Sequence, residues 1–279
     1  MVQMPTYNSL LKHGANVRNI LFSAISKGLA DIVRKLLELP VDISKVKEEG
    51  FPGYTPLHLA IDICNLEIVK LLLKHNTNIN CQDKSEQTPL YLAVSKGYIE
   101  IVKELLNNDA EVDKRSYGVT PFSIALITKQ IDIANILLEH GADIDATFST
   151  AHWFEGFSSL HDAAYDGNLK IVTFLLNHNA NVNAVDVDKR TPLHLATIRG
   201  RTEVIKTLLV NGANANLQDK DLFTAFQRTS NKNILKIFFE YGNSLDLNIR
   251  NQNGNTILEN VITSNNIRVA KMIVYHACF

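Results

Sequence analysis

The sequence predicts an all-α solenoid of about eight stacked helix-turn-helix units with projecting β-hairpin loops. Three observations predict it. The hexapeptide Thr55-Pro56-Leu57-His58-Leu59-Ala60 recurs intact at Thr191-Pro192-Leu193-His194-Leu195-Ala196, and with changes at Thr88-Pro89-Leu90-Tyr91-Leu92-Ala93 and Thr120-Pro121-Phe122-Ser123-Ile124-Ala125. Weaker copies begin at Asn19, Ser158, Thr224 and Thr256, so units start near 19, 55, 88, 120, 158, 191, 224 and 256, a repeat of about 33 residues. Each start is followed by a second apolar segment, such as Glu67-Ile68-Val69-Lys70-Leu71-Leu72-Leu73-Lys74-His75.

Each element of the unit has a physical reason. Threonine before proline is a helix N-cap followed by a first-turn residue whose missing N–H has no partner to lose. Gly28, Gly97, Gly167 and Gly200 fall nine residues after their starts, where a tight turn needs positive φ. The second segment has leucine and isoleucine at three- and four-residue steps, so it forms a helix whose apolar face only a neighbouring unit can cover. Asn80, Asp113, Asp145, Asn183, Asn216 and Asn248 close the units, where short polar side chains suit the turn of a hairpin. The segment 5–18 reads as a partial N-terminal cap, and 1–279 as a single repeat domain.

These residues resemble the ankyrin-repeat family from about Leu10 onward. The motif is long and repeated, so the resemblance is specific. It implies a non-enzymatic protein–protein interaction module that binds a protein partner through a concave groove and hairpin tips. Carried over residue by residue, it places Lys27, Asp62, Ser95, Lys96, Thr128, Tyr165, Asp166, Ile198 and Arg199 on the groove face of the first helices. Tyr54, Gln87, Val119, Phe157, Arg190 and Phe223, just before the starts, join them. It implies hydrogen bonds within and between repeats for His58, His161 and His194, and names Asn80, Asn183 and Asn216 as matching the hairpin asparagines that an asparaginyl hydroxylase modifies. Leu72, Leu175 and Leu208 precede them at the spacing such substrates prefer.

Breaks in the period are informative, because an insertion in a solenoid loops out on one face. The longest step holds Ala146-Thr147-Phe148-Ser149-Thr150-Ala151-His152-Trp153-Phe154-Glu155-Gly156-Phe157. Trp153 is either packed on neighbouring helix ends or exposed as a partner-binding anchor. The connection from Val41 to Tyr54 alternates in charge and reads as a solvated loop. The seventh unit, Thr224-Ala225-Phe226-Gln227-Arg228-Thr229, lacks the proline and is shortened, so local instability is expected there. The eighth ends in an apolar run to Phe279, where a terminal cap needs a polar outer face; a truncated or divergent cap is expected. That end keeps a second reading open, an adaptor or effector fragment, host- or ubiquitin-ligase-directed, missing a C-terminal domain.

Composition excludes other classes. Lys and Arg number 28 against 29 Asp and Glu, for a formal net charge of -1, which gives no electrostatic reason to bind nucleic acid or an anionic membrane. Cys64, Cys81 and Cys278 form no disulfide framework or ligand pair. With no secretory signal and no spanning apolar stretch, a cytosolic monomer is expected, with the nucleus possible. No metal or cofactor is expected: His13, His75, His140 and His178 fall at helix ends, and His152 and His276 stand alone. Asp83, Asp186 and Asp219 repeat at the unit period and read as structural rather than as paired catalytic acids.

Overall fold

The computed structural model describes residues 17–39, 53–75, 77–148, 155–242 and 244–277. Most of the expected cap at 5–18, nearly all of the Val41–Tyr54 connection, and Trp153 lie outside the described residues. Contacts divide the chain into two compact units, Met1–Asp143 and Ile144–Phe279. The first contains α1 (Val17–Ser26), α2 (Ala30–Leu37), α3 (Pro56–Asp62), α4 (Leu66–Lys74), α5 (Pro89–Lys96), α6 (Ile99–Leu106), α7 (Pro121–Ile127) and α8 (Ile131–Glu139). The second contains α9 (Ser159–Asp166), α10 (Leu169–Asn177), α11 (Pro192–Ile198), α12 (Thr202–Val210), a 3-10 turn (Phe226–Arg228), α13 (Lys232–Tyr241), α14 (Ile257–Thr263) and α15 (Ile267–Ala277). Among the described residues there is no sheet, only isolated β-bridges such as Ser116 to Val119 and Gln218 to Thr224 at the hairpins.

Within each unit the first helices stack on one another and the second helices form a parallel outer row. In the N-terminal unit α1, α3, α5 and α7 pack in succession, as do α2, α4, α6 and α8. In the C-terminal unit α9 packs on α11, α10 on α12 and α12 on α13. The core follows the repeat. Leu57, Leu90 and Phe122 from first helices, and Leu72, Leu105 and Leu137 from second helices, are at most 2% exposed. Leu160, Leu193, Leu175 and Leu208 do the same in the C-terminal unit. Each such side chain contributes about 1.5–3 kcal/mol, and only a neighbouring repeat can cover it.

The helix starts follow the predicted capping. The hydroxyls of Thr88 and Thr120 accept from the N–H of Tyr91 (3.1 Å) and Ser123 (3.2 Å), with proline in the first turn. The seventh unit departs as expected from its lost proline. Its first helix shrinks to the 3-10 turn, and Phe226 fills the space with edge contacts to Phe238 and Phe239.

The turn between paired helices needs a left-handed residue, because the next N–H must reach back over the helix end. Gly97 (φ 77°) and Gly167 (φ 82°) supply it. Cys64 (φ 56°), Lys129 (φ 61°) and Asn265 (φ 57°) hold the same place without being glycine. At Lys129 the geometry is the same: its N–H bonds Leu126 O (2.9 Å) and the Gln130 N–H bonds Ala125 O (2.7 Å). An L-residue there costs about 1–2 kcal/mol, whereas glycine loses about 0.5–1 kcal/mol more on folding. Lys129→Gly is therefore expected to stabilise the fold and raise the melting temperature by about 1–3 °C; a lower melting temperature in a calorimetric scan contradicts this account.

Candidate functional site

The first helices carry buried polar networks beneath the surface they present. His58 places Nδ1 2.8 Å from Thr55 Oγ1 and Nε2 2.9 Å from Gln87 O. His161 does so with Ser158 Oγ (2.9 Å) and Arg190 O (3.0 Å), and His194 with Thr191 Oγ1 (2.9 Å) and Phe223 O (3.1 Å). A carbonyl only accepts, so Nε2 carries the proton and Nδ1 accepts from the hydroxyl. Burial pushes the His161 pKa down to about 4 and lowers that of His194, so both rings are neutral at pH 7. Each ring bolts a helix start to the loop of the next repeat. In the seventh unit Gln227 replaces histidine: its Oε1 accepts from Thr224 N–H (3.1 Å) and its Nε2 donates to Ile249 O (2.7 Å).

A second network closes the hairpins. Asp186 Oδ1 accepts from Asp188 N–H (2.9 Å) and Arg190 N–H (2.7 Å). Asp83, Asp219 and Asn251 hold their turns in the same way. In the C-terminal unit the second oxygen takes an arginine: Arg190 Nε lies 2.7 Å from Asp186 Oδ2, and Arg228 Nε 2.6 Å from Asp219 Oδ2. The same guanidiniums lie over Phe157 (5.7 Å) and Phe223 (4.4 Å). The regular aspartates are turn-formers whose carboxylates are largely occupied.

The closing asparagines and aspartates do more than turn the chain. Asn80 Oδ1 accepts from Glu111 N–H (2.9 Å) and Asp113 from Asp143 N–H (3.1 Å) in the N-terminal unit. Asp145 accepts from Asn181 N–H (2.9 Å), Asn183 from Asn214 N–H (2.8 Å) and Asn216 from Asp246 N–H (2.9 Å) in the C-terminal one. They are rungs between successive repeats. A local turn signal in the sequence could not distinguish that role, because the partner amide is one period away.

On this frame the groove-facing side chains sit at different depths. In the N-terminal unit Lys27, Lys96 and Thr128 are exposed, and Tyr54, Asp62, Gln87, Ser95 and Val119 half-buried. Lys96 Nζ pairs with Asp62 Oδ1 at 2.9 Å. Burial, with help from the carboxylates of Asp62 and Asp83 against an opposing Lys96, raises the pKa of the Tyr54 hydroxyl. In the C-terminal unit Asp166, Ile198 and Arg199 are exposed, and Tyr165, Arg190 and Phe223 half-buried. Arg199 lies over the Tyr165 ring at 4.5 Å. One residue is corrected: Phe157 is only 2% exposed, stacked on His161 and covered by Arg190. Its backbone is held to that of Phe148, whose N–H bonds Phe157 O at 2.7 Å. Phe148 is likewise buried.

Asp162 is a groove residue that the motif reading missed. It occupies the place of Leu59, Leu92, Ile124 and Leu195 in other repeats, and that break was the available signal. Burial, and secondarily the charge of Asp166, raises its pKa to about 6. A folded-state pKa above the unfolded value of about 4 means stability that is full at low pH and lost as pH rises through 6. Asp162→Asn is expected to stabilise by on the order of 1–2 kcal/mol at pH 7, after allowance for partial exposure. The gain should vanish near pH 4 in paired thermal melts; an equal gain at both pH values contradicts the assignment.

Among the described residues no group of three or more His, Cys, Asp or Glu side chains is arranged to hold a metal ion, and no helix is long and apolar enough to cross a membrane.

Comparison with known proteins agrees with this geometry. The family described as "Ankyrin repeats (3 copies)" matches residues 3–83, 65–148 and 147–221. Human Rabankyrin-5 is 32% identical over 153 residues, which is 53% of this chain but 13% of Rabankyrin-5. Mouse inversin is 35% identical over 89 residues, or 32% of this chain and 8% of inversin. The chain thus spans a small part of the length of these relatives. The solved ankyrin-repeat domain of Bcl-3, described as a unique member of the IkappaB protein family, superposes with a TM-score of 0.71 at 28% identity, over 78% of this chain and 96% of that one. The chain belongs to the ankyrin-repeat family.

Proposed function

We propose that this protein is a non-enzymatic interaction module that binds a protein partner on the groove-facing side chains of its first helices and on its hairpin tips. Ankyrin repeats are in general protein–protein interaction modules, which supports the reading. The observation that carries it is the contrast between scaffold and surface. The buried frame repeats from unit to unit, whereas the side chains above it differ: Lys96 and Thr128 in the N-terminal unit, Tyr165, Asp166, Ile198 and Arg199 in the C-terminal one. Stacked aromatics and arginines of this kind are the usual anchors of protein interfaces.

Asp162 supports the same reading, since a desolvated carboxylate replaces an apolar residue there at a cost in stability. The binding test is affinity capture with cross-linking from the native source, comparing wild type with the double variant Tyr165→Ala, Arg199→Ala. Loss of two anchors is expected to weaken recovery by about 30-fold or more, with circular dichroism unchanged. A control on the outer row, Lys170→Ala, should retain the partner. Equal recovery by all three proteins removes the groove from the account.

The hairpin asparagines Asn80, Asn183 and Asn216 are also proposed as sites of side-chain hydroxylation. All three are half-buried and carry an inter-repeat hydrogen bond through Oδ1, which a hydroxyl on Cβ leaves in place. Intact-mass analysis of native material should show added oxygen; an unmodified mass in a source that contains the hydroxylase refutes the proposal.

A further inference from the structure

The hairpin aspartates provide an internal comparison that singles out one incomplete copy. Asp83, Asp186 and Asp219 are each 5% exposed or less, and each uses Oδ1 on two backbone amides of its own turn. Asp186 and Asp219 direct Oδ2 to a guanidinium of this chain. Asp83 Oδ2 is buried and, among the described residues, has no hydrogen-bond partner. Gln87 stands where Arg190 stands in the later repeat, and it makes no bond to that oxygen. A buried acceptor left unmade is unfavourable, and a charged donor is the strongest remedy.

The aromatic half of the arrangement is present as well. Phe157 stacks on His161 (5.5 Å) with its ring under Arg190. Tyr54, at the equivalent place, stacks on His58 at 5.7 Å with an interplanar angle of 13°. Among the described residues no cation lies over the Tyr54 ring, and the ring is half-buried at the groove. The neighbouring Lys96 is held by Asp62 at 2.9 Å. This repeat thus keeps the aromatic platform and the carboxylate of the Phe157 and Asp186 copy while lacking its arginine; at Asp219 the guanidinium comes from another position, Arg228.

We propose that this slot, formed by Tyr54, Gln87 and Asp83, receives an arginine side chain from a polypeptide partner. The guanidinium lies on the open face of Tyr54 and donates to Asp83 Oδ2, as Arg190 does across Phe157 and onto Asp186. The half-exposed Gln87 side chain swings aside to admit it. Arginine fits better than lysine because a planar fork can lie on the ring and donate in its plane at once. The inference rests on the reading that this face meets a partner, and it adds the chemistry of one anchor.

The test needs no partner protein. The Ser85 and Gln87 amides, both 2.8 Å from Asp83 Oδ1, report on the slot in a heteronuclear NMR titration with N-acetyl-arginine amide. Saturable shifts at these amides are expected, with affinity about tenfold lower for the uncharged citrulline analogue, the scale of one charge-assisted hydrogen bond. Asp83→Asn should abolish the response without unfolding the turn, because Asn251 already holds the same turn. Gln87→Arg should also abolish it while raising the melting temperature, since the chain then fills its own slot. Arg190→Gln should open a second responsive slot, read at the Asp188 amide. No saturable shift in the wild type, or a response that survives in Asp83→Asn, overturns the proposal. If Tyr165→Ala, Arg199→Ala abolishes partner capture and Gln87→Arg leaves it intact, the slot alone fails and the groove reading stands.

Discussion

Helices of seven to eleven residues are too short to persist in water on their own, so each helix pair here exists because neighbouring pairs cover its leucines. This dependence governs the rest of the structure. It explains why the largest buried side chains recur at one period, and why the seventh unit tolerates a first helix reduced to a 3-10 turn: Phe226 still reaches Phe238 and Phe239. It also explains why polar residues are used so heavily between repeats. Apolar stacking does not fix rotation about the stacking axis, whereas a hydrogen bond from the Asn214 N–H to Asn183 Oδ1 does.

The polar frame separates two populations of side chains. Histidines at the helix starts, aspartates in the hairpins and the closing asparagines bond within or between repeats, with Asp83 Oδ2 the exception. Above them stand residues the frame does not need, such as Lys96, Ile198 and Arg199. Because the frame bonds through other side chains, changing one of these surface residues leaves its hydrogen bonds in place. Asp162 marks the limit of that freedom, since a carboxylate pushed against the helix stack retains its proton until about pH 6.

The hairpin aspartates show how repetition clarifies chemistry. A single buried carboxylate with an unpaired oxygen says little about what belongs there. Three aspartates share one register, and two of them take a guanidinium, Arg190 four residues on and Arg228 nine residues on, which identifies the missing group by comparison. The same logic makes Gln227 recognisable as a histidine substitute, because like His161 and His194 it spans from the N–H of the capping residue to a carbonyl of the next loop.

How much was legible follows from the range of each interaction. Threonine caps, first-turn prolines, the turn glycines and the apolar period are local, so the sequence by itself determined the repeat and its helix pairs, while the bonding of the motif histidines was implied by the family resemblance. It also marked the seventh unit as irregular, since a missing proline is a local fact. Burial and pairing across a period are not local. Only the tertiary structure placed Phe157 beneath Arg190, turned the closing asparagines into rungs, left Asp162 desolvated and Asp83 without its guanidinium. The partners of Phe157 and of the rungs lie a full repeat away, and the burial of Asp162 and Asp83 is set by packing, so spacing along the chain carries no signal for either.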